Sequence, residues 1–143
     1  MKVAFATTDG YLVDEHFGRA GRFTILEFTP AGYTRLPDLI FAAGRDEAVE
    51  RTRGQGDAHD SAVEQKVERL ADCRLVYMNA IGGPSAARMA RRGIMPVKVP
   101  ERTLILEAAE KLMHQIRTAP PPWLRLALQP HVNETHATEG DAP

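Results

Sequence analysis

The sequence predicts an α/β domain of three layers, with helices on both faces of a mixed sheet. Two observations carry this. Between Lys2 and Ala42, three apolar, β-prone segments are separated by turn signals. After Ser61, strand-like runs alternate with helical stripes. Three early strands can form an antiparallel meander, whereas the later strand–helix–strand units need parallel crossovers. Sheet and helices must bury their apolar faces on one another, which gives the layers.

Lys2–Thr8 is the first strand and ends at the turn pair Asp9-Gly10. Arg22–Thr29 is the second and ends at Pro30-Ala31-Gly32. Tyr33–Ala42 is the third. Pro37 lies inside it and cannot donate to a ladder, so an edge position is expected. Gly44–Asp60 carries glycines and charges and reads as a solvated connection, with a short helical turn over 46–53. Asp60 or Ser61 can cap the next helix, Ser61 with Glu64 at capping-box spacing, and over Ala62–Asp72 Val63, Val67 and Leu70 form one helical stripe.

Arg74–Ala80 is a short apolar run suited to a buried strand. Ile81-Gly82-Gly83-Pro84-Ser85 turns into a helix, with Pro84 in its first turn and Gly93 as the stop. Ile94–Val99 is the fifth strand. From Thr103 to about Arg117, Leu104, Ile105, Ala108, Leu112 and Ile116 mark an amphipathic helix that Pro120-Pro121-Pro122 ends. Trp123–Leu128 reads as one apolar turn, with Trp123 packing the tail on the domain. The polar remainder reads as disordered. The expected division is a domain over 1–118 and a Pro-rich tail, partly disordered, over 119–143.

Composition narrows function. The formal net charge of −1 gives no field toward nucleic acid or membrane. No apolar run is long enough for a signal h-region or a span. The single cysteine, Cys73, excludes an intramolecular disulfide and a four-cysteine metal site from one chain, and it suits a reducing cytoplasm.

Thr8-Asp9-Gly10-Tyr11-Leu12-Val13-Asp14-Glu15-His16-Phe17-Gly18-Arg19 follows the first strand as a loop. Loops on a rigid sheet are where binding groups gather. His16 has two readings: a structural histidine capping the turn, or a metal ligand. Phe17 is either a core anchor or a ligand contact. Asp14 and Glu15 are turn-forming, or they orient His16. Gly82-Gly83-Pro84 is either a tight turn or a place where backbone approaches a ligand. Cys73 is a buried thiol or a ligand, and His59 a surface histidine or a second ligand. His114, His131 and His136 receive no role.

Three segments together resemble the NifX-like family of nitrogenase iron–molybdenum cofactor biosynthesis proteins, also called the dinitrogenase iron–molybdenum cofactor family. They are Met1–Phe23 with Val13-Asp14-Glu15-His16-Phe17-Gly18, Leu70–Val99 with Ala80-Ile81-Gly82-Gly83-Pro84-Ser85-Ala86-Ala87, and Pro120-Pro121-Pro122-Trp123-Leu124-Arg125. The resemblance implies a ribonuclease H-like fold, with five strands in the order 3-2-1-4-5 and strand 2 antiparallel. The His16 loop and the Gly82–Ser85 turn would then leave adjacent strands at a topological switch point.

The resemblance also implies a carrier or store without turnover chemistry, so the chain is read as no enzyme. It would hold an iron–sulfur precursor (NifB cofactor) or iron–molybdenum cofactor, bound transiently. The implied binding set is His16, Phe17, Gly18, Arg19, Gly82, Gly83, Pro84 and Ser85, with His16 the metal ligand. Arg19 and Arg22 would add positive charge at the rim. The implied partners are nitrogenase cofactor-assembly proteins, and the chain is read as a cytoplasmic monomer. Two alternatives remain at this level. One is a non-catalytic interaction domain docking through Pro120–Leu128. The other is a ribonuclease H-like metal-dependent enzyme, disfavoured because Lys2-Val3-Ala4-Phe5-Ala6-Thr7 carries no carboxylate for metal.

Overall fold

A computed structural model describes residues 1–41 and 56–128. The strands are β1 (Lys2–Ala6), β2 (Leu12–Val13), β3 (Arg22–Thr29), β4 (Gly32–Ile40), β5 (Cys73–Met78), β6 (Met95–Lys98) and β7 (Thr103–Leu104). The helices are α1 (Gly56–Arg69), α2 (Gly83–Arg91), α3 (Ile105–Thr118) and α4 (Pro122–Ala127), with a 3₁₀ turn at Phe17–Arg19.

The main sheet has five strands in the order β4-β3-β1-β5-β6. β1 pairs antiparallel with β3 and parallel with β5; β3–β4 is antiparallel and β5–β6 parallel. The sheet is therefore mixed, with β1 at its centre and β5 beside it. β4 lies at an edge, where Pro37 is tolerated.

Side-chain alternation explains the layers. Val3, Phe5, Leu75 and Tyr77 point to one face, into a core closed by Ile105, Ala108, Leu112 and Ile116 of α3. Ala4, Ala6, Val76 and Met78 point to the other, under Val63 and Val67 of α1, Leu70 just after it, and Met89 of α2. Both faces are covered, which is why β1 and β5 are nearly continuous apolar runs. Phe5 and Tyr77 stack across the parallel pair with ring centroids 4.8 Å apart.

Several local expectations need correction. The helix expected to start at about Ser61 begins at Gly56, so Ser61 lies inside α1 and not at its start. Thr103 and Leu104 are not helical. They pair antiparallel with Leu12 and Val13, whose strand the loop reading missed. Two-residue strands carry too little alternation to read from sequence. The expected helical turn over 46–53 and the tail beyond residue 128, with His131 and His136, lie outside the described residues, as does the side chain of His59.

The core extends past residue 118. Leu124 is fully buried and Ala127 nearly so, both against the α3 face, while Trp123 is 37% exposed. Leu124 is the fully buried side chain of this six-residue helix, and Trp123 lies at its margin. The outward face of α4 leaves Leu126 exposed. Leu124→Ala is expected to cost about 3 kcal/mol in denaturant unfolding. Leu126→Ala, on the exposed face, is expected to stay within about 0.5 kcal/mol of the parent.

Candidate functional site

The site lies at the carboxyl ends of β1 and β5. From there the chain leaves β1 toward β3 on one side and β5 toward β6 on the other. Such reversals open a crevice in α/β sheets. Here one loop partly fills it. Past the end of β1, residues 15–17 continue the β5 ladder. The Asn79 amide donates to the Glu15 carbonyl at 2.9 Å, and the Phe17 amide donates to the Ala80 carbonyl at 2.9 Å. His16 and Ala80 thus form a parallel bridge. The His16 loop is joined through its backbone to the segment entering the Gly82-Gly83 turn.

The alternation of that ladder decides what is presented. Phe17 is fully buried, packed with Phe23 at a centroid distance of 6.0 Å, and belongs to the core under α1. Its ring offers no surface to a ligand, which corrects its place in the expected binding set. It is an anchor because burial of a large apolar ring outweighs any exposed contact available at this loop. His16 precedes it and is exposed, as are Gly18 and Arg19. The 3₁₀ turn is closed by the Arg19 amide on the His16 carbonyl at 3.1 Å and the Ala20 amide on the Phe17 carbonyl at 3.3 Å.

Facing it, α2 starts at Gly83 with Gly82 as N-cap; no side chain caps it. The Ala86 amide donates to the Gly82 carbonyl at 3.0 Å. Pro84 has no N–H, so the Gly83 and Ser85 amides are the first-turn donors without an intrahelical acceptor. Gly82, Gly83 and Pro84 are exposed, and Ser85 is buried. A Cβ on Gly83 would meet nothing within 4 Å, so its value is access, not avoidance of a clash.

The carboxylates of the loop are held in turns. Asp14 accepts from the Thr8 amide at 2.8 Å and the Thr8 hydroxyl at 2.6 Å. Asp9 accepts from the Tyr11 and Leu12 amides at 2.8 and 3.1 Å, which holds its carboxyl below the usual range. Arg22 donates to Asp38 at 2.7 Å, so its charge is balanced there. Among the described residues, no group of three or more His, Cys, Asp and Glu is arranged to hold a metal ion.

Two residues that position this site escaped the sequence reading. Asn79 ties the loops together: its side-chain amide donates to the Val13 carbonyl at 2.9 Å and the Val99 carbonyl at 3.1 Å. Its signal was a polar residue closing an apolar strand. Lys66 is buried beneath the His16 loop; its signal was a cation one turn along the stripe from Val63.

Cys73 lies at the far edge, in register with Lys2 at the amino ends of β1 and β5. Burial first, then the Asp72 charge, push its thiol up to about 12. At pH 8 roughly one thiol in ten thousand is ionised. Native protein is therefore expected to resist iodoacetamide at pH 8 and to be alkylated once unfolded, as read by mass spectrometry. No helix among the described residues is long and apolar enough to cross a membrane.

Known proteins give the arrangement its relatives. The family model described as dinitrogenase iron-molybdenum cofactor matches residues 1–115. Protein NifX of Herbaspirillum seropedicae is 36% identical over 129 residues, covering 90% of this chain and 82% of that protein. Protein NifX of Rhodobacter capsulatus is 34% identical over 128 residues, covering 90% of this chain and 77% of that protein. Protein NifY of Azotobacter vinelandii is also 34% identical over 90% of this chain, which spans only 48% of that longer protein. The crystal structure of PH0822 superposes with a TM-score of 0.57 at 14% identity, covering 86% of this chain and 98% of that one, a likeness of fold alone. A family match over most of the chain, with relatives above 30% identity across most of their own length, places it: the chain belongs to the dinitrogenase iron-molybdenum cofactor family.

Proposed function

We propose that the chain is a non-catalytic carrier and store for an iron–sulfur precursor, the NifB cofactor or a related cluster, during assembly of the iron–molybdenum cofactor in nitrogen fixation. The cluster is cargo, not a resident group. The observation that carries this reading is the backbone bridge between His16 and Ala80, which joins the exposed His16 to the segment leading into a helix start with no side-chain cap.

The donor set fits such a cargo. A neutral imidazole nitrogen ligates iron. The Gly83 and Ser85 amides, at the positive end of α2, offer hydrogen bonds to the anionic sulfide shell. Exposed Gly82 and Gly83 let a bulky body come close to the backbone. Gly18, Arg19 and Pro84 form the rim. One imidazole with main-chain donors suits transfer, because few bonds must break when the cluster moves on.

The five long strands fit a ribonuclease H-like fold in the order 3-2-1-4-5. β1 carries no carboxylate of the kind two-metal hydrolysis needs, so this reading includes no hydrolytic reaction. Relatives named as NifX, NifY and FeMo cofactor biosynthesis protein NifB support the pathway. Under this reading the partners are nitrogenase cofactor-assembly proteins, and the chain works as a cytoplasmic monomer.

The test is anaerobic titration of the purified chain with NifB cofactor, read by bound iron and electron paramagnetic resonance. Saturable binding of one cluster per chain is expected. A chain that never acquires iron across the titration would end the carrier reading.

A further inference from the structure

Lys66 is a cation where side chains of its kind seldom sit. It stands on α1 with Val63 and Val67 and is only 4% exposed. Its ammonium donates to the Phe17 carbonyl at 3.2 Å and to the Gly18 carbonyl at 3.1 Å. These are the two residues that follow His16. The rings of Phe17 and Phe41 flank the amine, each with its centroid 5.6 Å from Nζ.

The turn that receives these bonds is short. It spans Phe17–Arg19, and 3₁₀ hydrogen bonds have poorer geometry than α-helical ones. Gly18 adds no side chain of its own, and a Cβ there would meet nothing within 4 Å. A buried ammonium bonding two successive carbonyls is a charge-assisted clamp on such a segment.

We propose that Lys66 is the positioning residue of the His16 loop. By gripping the Phe17 and Gly18 carbonyls from below, it fixes the 3₁₀ turn and so the direction in which His16 leaves the ladder. A preformed cluster is rigid, so its ligand must already stand in place; a loop that wanders loses affinity to ordering entropy. The link from turn to affinity rests on the carrier reading above, whereas the grip on the turn does not.

The test uses the full chain with Lys66→Met and Lys66→Arg. Methionine keeps an unbranched apolar stem and loses the donor, whereas arginine keeps charge and donors. The first readout is hydrogen exchange at the Arg19 and Ala20 amides, which close the turn. The second is anaerobic affinity for purified NifB cofactor. In the methionine variant, exchange at these amides is expected to rise about tenfold or more. Affinity is expected to fall roughly 10- to 100-fold, the range seen when a group supporting a metal ligand is lost. Arginine is expected to restore both.

Wild-type exchange at Arg19 and Ala20 in the methionine variant would overturn the proposal. So would faster exchange with unchanged affinity. If the wild-type chain binds no cofactor, the carrier reading fails instead, and the exchange measurement still decides whether Lys66 holds the turn. Should the methionine variant not fold, Lys66→Gln takes its place under the same criteria.

Discussion

His16→Ala is expected to weaken capture of NifB cofactor by on the order of 100-fold or more, equivalent to about 2.7 kcal/mol. Among the described residues, His16 is the histidine that bridges to Ala80, just before the Gly82–Ser85 turn. Under the carrier reading, its removal takes away the proposed iron ligand and leaves the main-chain donors of the turn. The substitution is clean. His16 is exposed, and its backbone carbonyl, not its side chain, accepts the Arg19 amide. Stability is therefore expected to change by less than about 0.5 kcal/mol. Equal thermal midpoints with lost iron binding would separate ligation from folding. Unchanged affinity in the alanine variant would refute the anchoring role, even if the wild-type chain carries the cluster.

Phe17→Ala has the largest expected effect on stability, about 3–5 kcal/mol, the usual range for deleting a buried aromatic. The ring is fully buried, contacts Phe23 and lies beside the Lys66 ammonium. Its loss opens a cavity directly under the loop. Folding free energy from denaturant titration checks the magnitude, and Phe17→Leu is expected to recover most of it because volume is largely kept. A cost below about 1 kcal/mol would mean that the ring contributes little to the packing of the loop. The pair of substitutions separates neighbours by alternation alone: one residue presents its side chain outward and the next inward.

Much of the fold was legible because burial on two faces leaves a mark on local sequence. Val3, Ala4, Phe5 and Ala6 read as a strand, and their unbroken apolar run matches a strand buried on both faces. Gly93 read as a helix stop, and its φ of +76° is the left-handed value that glycine reaches without strain. Pro37 marked an edge strand. Where patterns are short the sequence fell silent. The β2–β7 pair, two residues on each side, was hidden in a loop and in a helix start. Trp123 drew attention as the largest side chain of its segment, yet Leu124 is buried there. Size signals a candidate, but orientation is set by the surface onto which the turn docks.

The candidate site divides in the same way. The residue types were visible: a histidine in a loop after the first strand, and two glycines and a proline before a helix. Sequence alone determined that these groups sit at the carboxyl ends of their strands, because each follows an apolar run. Only the tertiary structure decided that they meet, through the bonds Asn79–Glu15 and Phe17–Ala80. It also decided that Lys66, distant in sequence, grips the turn from beneath. The physical reason is that periodicity records which face of an element is buried. The partner across that face is selected by sheet register and chain closure, which no local window contains.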